Sequence, residues 1–187
     1  MADTKRTSAD LLTNLFQDGQ SAGAISENDV RDFIVSAVPT FGYCYVSTPA
    51  ETSVASQSVY LKAAGTTTGG GSSADMSMSA TNRLAYSGTP NRHFVATASI
   101  CFDNAAGNIL VGAKLYHYDN SGSSGAVIDA SEVRVNSDTN SNISAITLIG
   151  EVQLSTSDYL EVWISNETDA TNITVQKMTF MAQSILI

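Results

Sequence analysis

The chain has 187 residues, enough for one packed domain with an appended arm and too few for two full domains. Charged residues make up only 14% of it, against roughly 25% in an average soluble protein, and Ser, Thr, Asn, Gly and Ala carry the polarity instead, as in turn-rich β proteins. Eighteen acids against nine bases give a formal charge of -9, the wrong sign for neutralising phosphates. No apolar run approaches the roughly 20 residues of a membrane helix. Neither nucleic acid nor a membrane is an expected partner.

The N-terminal stretch MADTKRTSADLL lacks the apolar centre of a signal peptide, so the product is expected to stay where it is made. After a basic start at Lys5 and Arg6, residues 8–16 (SADLLTNLF) place Leu11, Leu12, Leu15 and Phe16 along one side of a short helix, and Asp18-Gly19 marks a turn. A stronger helix signal follows. Ser26 is positioned to cap, Asp29 sits three residues on as in a capping box, Val30, Phe33, Ile34 and Ala37 form an apolar stripe, and Pro39 stops the run. Residues 1–40 are too few to hold a core, so this arm must pack on its own domain, on a neighbouring subunit or on a larger assembly.

From residue 41 the apolar period changes to two, and residues 41–187 read as one all-β domain. Residues 41–47 (FGYCYVS) and 58–62 (SVYLK) read as strands, and 65–73 (GTTTGGGSS) as a flexible loop whose glycines offer nothing to pack. That loop is no phosphate cradle, since no Gly-Lys-Ser/Thr ending and no helix signal follow it. Further strands are predicted at 83–86, 94–102, 109–118, 132–136, 143–154, 159–165 and 173–182, with turns at Ser87-Gly88, Ala106-Gly107, 120–125 and 166–172. The phasing is clearest where Phe94, Ala96, Ala98, Ile100 and Phe102 share one face. In residues 159–165 (YLEVWIS), Leu160, Val162 and Ile164 point one way while Tyr159, Glu161 and Trp163 point the other. So much aromatic surface on the outer side predicts that a partner covers it, and self-association is the first expectation. Many short strands with regular turns predict an antiparallel β-sandwich of jelly-roll type with a short helical or extended N-terminal arm.

Reactive constellations are missing from the pattern. His93 and His117 stand in no HExxH, Cys-His or Gly-x-Ser-x-Gly setting, and Asp103, Asp119 and Asp129 lie near turns, where aspartate serves backbone geometry. No EF-hand spacing appears, and no cofactor or metal is expected. Cys44 and Cys101 are far apart in sequence and form no metal-like pair; they read as buried free thiols, with a disulfide between them as the alternative. The sequons at Asn142, Asn166 and Asn172 follow from a composition rich in Asn, Ser and Thr.

Residues 154–166 (LSTSDYLEVWISN), followed by 173–185 (ITVQKMTFMAQSI), resemble the last strands of the tumour-necrosis-factor-like jelly roll. In that superfamily a small-Gly-Asp turn usually opens the penultimate strand, where this chain has Ser157-Asp158; residues 82–88 (NRLAYSG) and 92–102 (RHFVATASICF) look like earlier strands, and the likeness spans about 55–187. Residues 11–36 resemble an N-terminal element of tailed-bacteriophage structural proteins, above all in the Ile-Ser-x-x-x-Val-Arg-Asp pattern at 25–32. Together these resemblances imply a homotrimeric capsid decoration, or cement, protein that is not an enzyme, made in the bacterial host cytoplasm and carried on the capsid exterior. They imply a trimer interface at Val95, Thr97 and Ser99 of one strand with Tyr159 and Trp163 of another. Lys5, Arg6, Leu11, Leu12, Leu15 and Phe16 would grip the major capsid protein of the same phage. The alternative is a head-fibre or tail-fibre tip that binds a host surface glycan or protein, with Tyr86, Tyr116 and Tyr118 as stacking residues.

Overall fold

The computed structural model describes residues 4–16, 19–21, 23–73, 75–104, 107–137 and 143–185. Its helical segment comprises α1 (Ser8–Asp10), which runs on as a π-helical turn at Leu11–Leu15, and α2 (Glu27–Ala37). The strands are β1 (Phe41–Thr48), β2 (Ala50–Thr52), β3 (Leu61–Lys62), β4 (Thr66–Ser72), β5 (Met76–Ala80) and β6 (Arg83–Tyr86). They continue with β7 (Arg92–Asn104), β8 (Leu110–Asp119), β9 (Ser124–Asn136), β10 (Ser144–Leu154), β11 (Tyr159–Asn166) and β12 (Ile173–Ile185).

These strands form two antiparallel sheets. The first has the order β10-β7-β12-β1-β4, with β2 also on β12; the second has β5-β6-β11-β8-β9, with β3 on β11. Early and late strands interleave in both sheets, β1 beside β12 and β6 beside β11, which is the jelly-roll arrangement predicted above. Alternation supplies the core between them: Phe94, Ala96, Ala98, Ile100 and Phe102 of β7 face Leu160, Val162 and Ile164 of β11 in one buried cluster with Phe180, Leu115 and Leu84.

The last strand carries a phase change that its sequence already contains. Ile173 and Val175 alternate in one phase and Met178, Phe180 and Ala182 in the other, and both sets are buried. A register shift against β7 between Val175 and Lys177 absorbs the extra residue, because a bulge lets a strand keep its apolar residues inward on both sides of an insertion.

The glycine tract departs from expectation. Residues 66–72 form β4, hydrogen-bonded to β1 at the sheet edge, rather than a loop. A Cβ at Gly70 would lie 1.8 Å from Cζ of Tyr43, so the missing side chain is what lets the Tyr43 ring lie across this edge strand. β2 and β5 were also invisible to period-two reading, and β9 begins eight residues before the predicted 132, while 58–62 contributes only Leu61–Lys62. Asp18, Ala106 and Asn142, named above in two turns and a sequon, lie outside the described residues.

The N-terminal segment lies at the end of the first sheet and is tied to it by polar contacts. Arg92, buried at the start of β7, donates from its guanidinium to the carbonyls of Ser36 (3.1 Å) and Val38 (3.4 Å), satisfying backbone acceptors at the α2 C-terminus. Lys5 pairs with Asp75, and Thr40 and Ser184 exchange two hydrogen bonds of 2.7 Å each. The segment thus joins the sandwich where β1 begins.

Candidate interaction surfaces

On the outer face of the first sheet, strand pairing lines up cross-sheet rows. One row runs Ile149, Thr97, Met181, Tyr43, and the next runs Thr147, Ser99, Thr179, Tyr45. Neither row contains a charged residue. The charged groups sit at the margins, with His93 and Glu151 paired at 3.0 Å on one side and Lys177 on the other. Ile149 is 63% exposed, Phe41, Tyr45 and Met181 are exposed, and Tyr43 and Tyr45 stack at 6.5 Å. A shallow depression of about 390 Å³, lined by Tyr43, Tyr45, Ser47, Lys177 and Thr179 among others, opens on this face. Val95, Thr97 and Ser99, the expected interface residues of β7, all lie here.

Tyr159 and Trp163 do not join them. They stand on the outer face of the second sheet, across the sandwich from Val95, Thr97 and Ser99, so the five residues do not form one surface. Nor is the aromatic face of β11 bare. Tyr159 stacks on Tyr118 (4.7 Å, 10°) with the Arg83 guanidinium 3.7 Å from its ring centre, and Trp163 stacks on Tyr116 (4.2 Å, 7°). Beneath them the buried Glu161 carboxylate accepts from Lys62 Nζ (2.7 Å), Arg83 Nη2 (2.8 Å) and Trp163 Nε1 (3.0 Å). The expected cover for these rings was a partner; within the chain their own cross-strand neighbours already supply one, and the outward alternation of Lys114, Tyr116 and Tyr118 is the signal that could have shown it.

Further along this face, Glu132 accepts from Lys114 Nζ (3.0 Å), Tyr60 Oη (3.0 Å) and Arg134. Burial works to raise its pKa, but hydrogen bonds from Lys114, Arg134 and Tyr60 together hold the carboxyl down at about 2. Lys114 also reaches Asp129 at 2.8 Å. At the β8–β9 hairpin a depression of about 300 Å³ is lined by His117, Asp119, Ser124, Gly125 and Val127 among others. Tyr86, one of the three expected stacking residues, is fully buried and donates its hydroxyl to the Pro90 carbonyl at 2.6 Å. It is unavailable to a ligand. Tyr116 and Tyr118 are half-buried within the stacks just described.

The expected grip residues of the arm are mostly engaged within the chain. Leu11 and Leu15 are buried, Phe16 meets Phe33 edge-on at 5.4 Å, Lys5 pairs with Asp75, and Arg6 Nε donates to Asp32 at 2.9 Å. Leu12 alone of the six points outward, 68% exposed. The Asp32 carboxylate is itself buried and takes a hydrogen bond from the Thr4 amide at 2.7 Å. That backbone bond, with the Arg6 contact, lowers its pKa.

His117 and the aspartates around the β8–β9 hairpin have structural partners. His117 lies 3.3 Å from the buried Asp158, whose carboxylate also accepts from the amides of Asn120 and Ser155. Asp119 accepts from Ser121 Oγ and the Gly122 amide, which lowers its pKa and closes the hairpin turn. Cys44 is in the core, where burial pushes its thiol up to about 12, and Cys101 is on the outer face of the same sheet; both are free. Among the described residues no three His, Cys, Asp or Glu side chains gather as a metal site would require.

No protein-family profile and no curated protein matches the chain. Solved structures do. Murine APRIL at pH 5.0 superposes with a TM-score of 0.57 at 5% identity, covering 79% of this chain and 100% of that one; the form at pH 8.0 gives 0.52 at 9%, with the same coverage. The form at pH 8.5 gives 0.50 at 7%, covering 77% of this chain and 98% of that one. At such identities the likeness is one of fold. The chain is an all-β jelly roll of the tumour-necrosis-factor-like type with a short helical N-terminal segment.

Proposed function

We propose that the chain is a structural protein of a tailed-phage virion, a homotrimeric decoration protein that binds the outer capsid surface through its N-terminal segment. The observation that carries the trimer is the outer face of the first sheet, where two adjacent rows of residues contain no charge and leave Ile149, Met181 and Tyr45 in solvent. Faces of this kind are buried in assemblies. The placement on a virion rests on the sequence resemblance at residues 11–36 and 25–32.

The shell contact is revised in its residues. Since Lys5, Arg6, Leu11 and Leu15 hold the segment together, the surface left for the capsid centres on Leu12 and on Ile25 ahead of α2, both exposed. A cement of this kind stabilises by adding interface to the assembled shell and not to free capsid subunits, so assembly shifts by mass action. A second reading, a fibre tip that binds a host glycan or protein, is favoured by the open depression at the β8–β9 hairpin, where His117, Asp119 and Ser124 border an apolar floor of Ala126, Val127 and Ile128.

Co-sedimentation of the purified chain with capsids, with tails and with host cells separates the two. Saturable binding to capsids that is lost in Leu12→Asp and Ile25→Asp variants supports the decoration reading. Binding only to tails or cells, lost on Ser124→Trp substitution in the hairpin, supports the fibre-tip reading. Binding to none of the three overturns both.

A further inference from the structure

Helix α2 is packed with its polar side inward. At 100° per residue, Asp32 and Ser36 occupy one side, Val30 and Ile34 lie roughly opposite and Phe33 lies at the flank, with the extended C-cap Val38 following. Amphipathic helices normally bury the apolar stripe. Here Asp32 and Ser36 are fully buried, fixed by the Thr4 amide, the Arg6 guanidinium and the Arg6 amide on Ser36 Oγ (2.8 Å). The stripe is left out, with Ile34 54% and Val38 53% exposed. Phe33 meets the Phe16 ring edge-on.

What covers this stripe is indicated by where it leads. No charged residue occurs between Asp32 and Glu51. Along that run the chain passes from the exposed side of α2 through Val38 and Phe41, both exposed, to Tyr43 and Tyr45 on the charge-free face of the first sheet. Val38 and Phe41 thus lead the chain from the helix stripe, which the exposed Glu27 and Arg31 flank, onto the sheet face, and a stripe that leads directly into a subunit contact is placed to be covered by the same partner. We infer that α2 packs its Val30-Phe33-Ile34-Val38 stripe against a neighbouring copy of this chain, so that the helical segment belongs to the trimer contact. The inference rests on the trimer reading above. In a cyclic trimer each contact joins two different patches, which lets a helix at one end of the sheet meet a surface it does not meet in its own subunit.

The polar inner side of α2 has a complementary purpose in this arrangement. Asp32 and Ser36 fasten the helix to its own subunit through directional bonds, so its orientation is set before a neighbour arrives. The apolar side is then presented ready-made, and little ordering cost falls on assembly.

The test uses the full chain and sedimentation velocity over a wide concentration range, with circular dichroism to verify folding. Val30→Asp and Ile34→Asp change residues that are exposed in the isolated subunit, so the fold should survive while the trimer dissociates at concentrations at least about 100-fold higher than wild type. The double variant Val30→Ala/Ile34→Ala keeps strong helix formers and is expected to shift dissociation by about tenfold or more. A wild-type trimer whose dissociation midpoint is unchanged by all of these variants overturns the inference while leaving the trimer standing, and does so most clearly if the same variants no longer bind capsids. A wild-type chain that is monomeric at every concentration overturns the trimer reading and this inference with it.

Discussion

Replacing Arg92 by Met should loosen α2 without loosening the sandwich. The Arg92 side chain is buried and its two donors end on the carbonyls of Ser36 and Val38, at 3.1 and 3.4 Å. Hydrogen bonds from a charged donor contribute about 1.5–3 kcal/mol each. The 3.4 Å contact lies beyond the usual range, so about 2–3 kcal/mol is a fair figure for the pair. Met fills much of the same volume, which limits packing loss in the sheet. A local opening free energy lowered by that amount corresponds to faster amide exchange by roughly 30- to 150-fold, at 1.36 kcal/mol per factor of ten. Hydrogen exchange read by mass spectrometry would follow peptides covering residues 27–38 and, as control, β7 and β12. Faster exchange confined to 27–38 is the expected result. Unchanged exchange there, or equal acceleration in β7, would show that Arg92 does not hold the helix and that the segment is retained some other way.

Three further outcomes follow from the same contacts. Ile149→Asp removes a side chain already 63% exposed, so the monomer should keep its melting temperature within a few degrees, while the trimer loses about 1–2 kcal/mol of apolar burial per copy plus the cost of an unpaired charge; equilibrium sedimentation would detect an unaffected trimer as the contrary result. Glu132, held at about 2 against an ordinary 4.5, contributes stability that is fully present above pH 4.5 and is lost as the pH falls towards 2, at most about 3 kcal/mol. Urea midpoints measured from pH 6 to pH 3 should therefore fall less steeply in Glu132→Gln, and parallel curves would dismiss the network. Gly70→Val should displace the Tyr43 ring and destabilise by about 1–3 kcal/mol, and Tyr43→Ala should relieve most of that cost in a double-mutant cycle; strict additivity would mean that the ring does not lie over Gly70 in solution.

The strands that face the core were legible because alternation is a direct record of which side is buried. β7 and β11 read correctly for that reason, and even the bulge of β12 is written in the phase jump between Val175 and Met178. β4 was not legible. A strand of Thr and Gly has no alternation to read, and its place in the sheet depends on Tyr43, some 27 positions earlier in the chain, lying across it. The cap of α2 was equally plain from Ser26 and Asp29, yet the side that the helix buries was not. Its apolar stripe predicts burial, and only the convergence of Thr4, Arg6 and Arg92 on the opposite side reverses that within one subunit. The surfaces were harder still. Periodicity places Tyr159 and Val95 on outer faces but does not say that these faces belong to different sheets, because that follows from strand order, a long-range property.

The mass of the purified chain in solution, measured by light scattering across concentration, tests the account most directly, since the trimer and the helix contact both depend on the first sheet's outer face being an interface between copies. The account predicts three times the 19.6 kDa of one chain, falling to a monomer when Ile149→Asp is introduced. A mass of one chain at every concentration, with that face open to solvent, would contradict it.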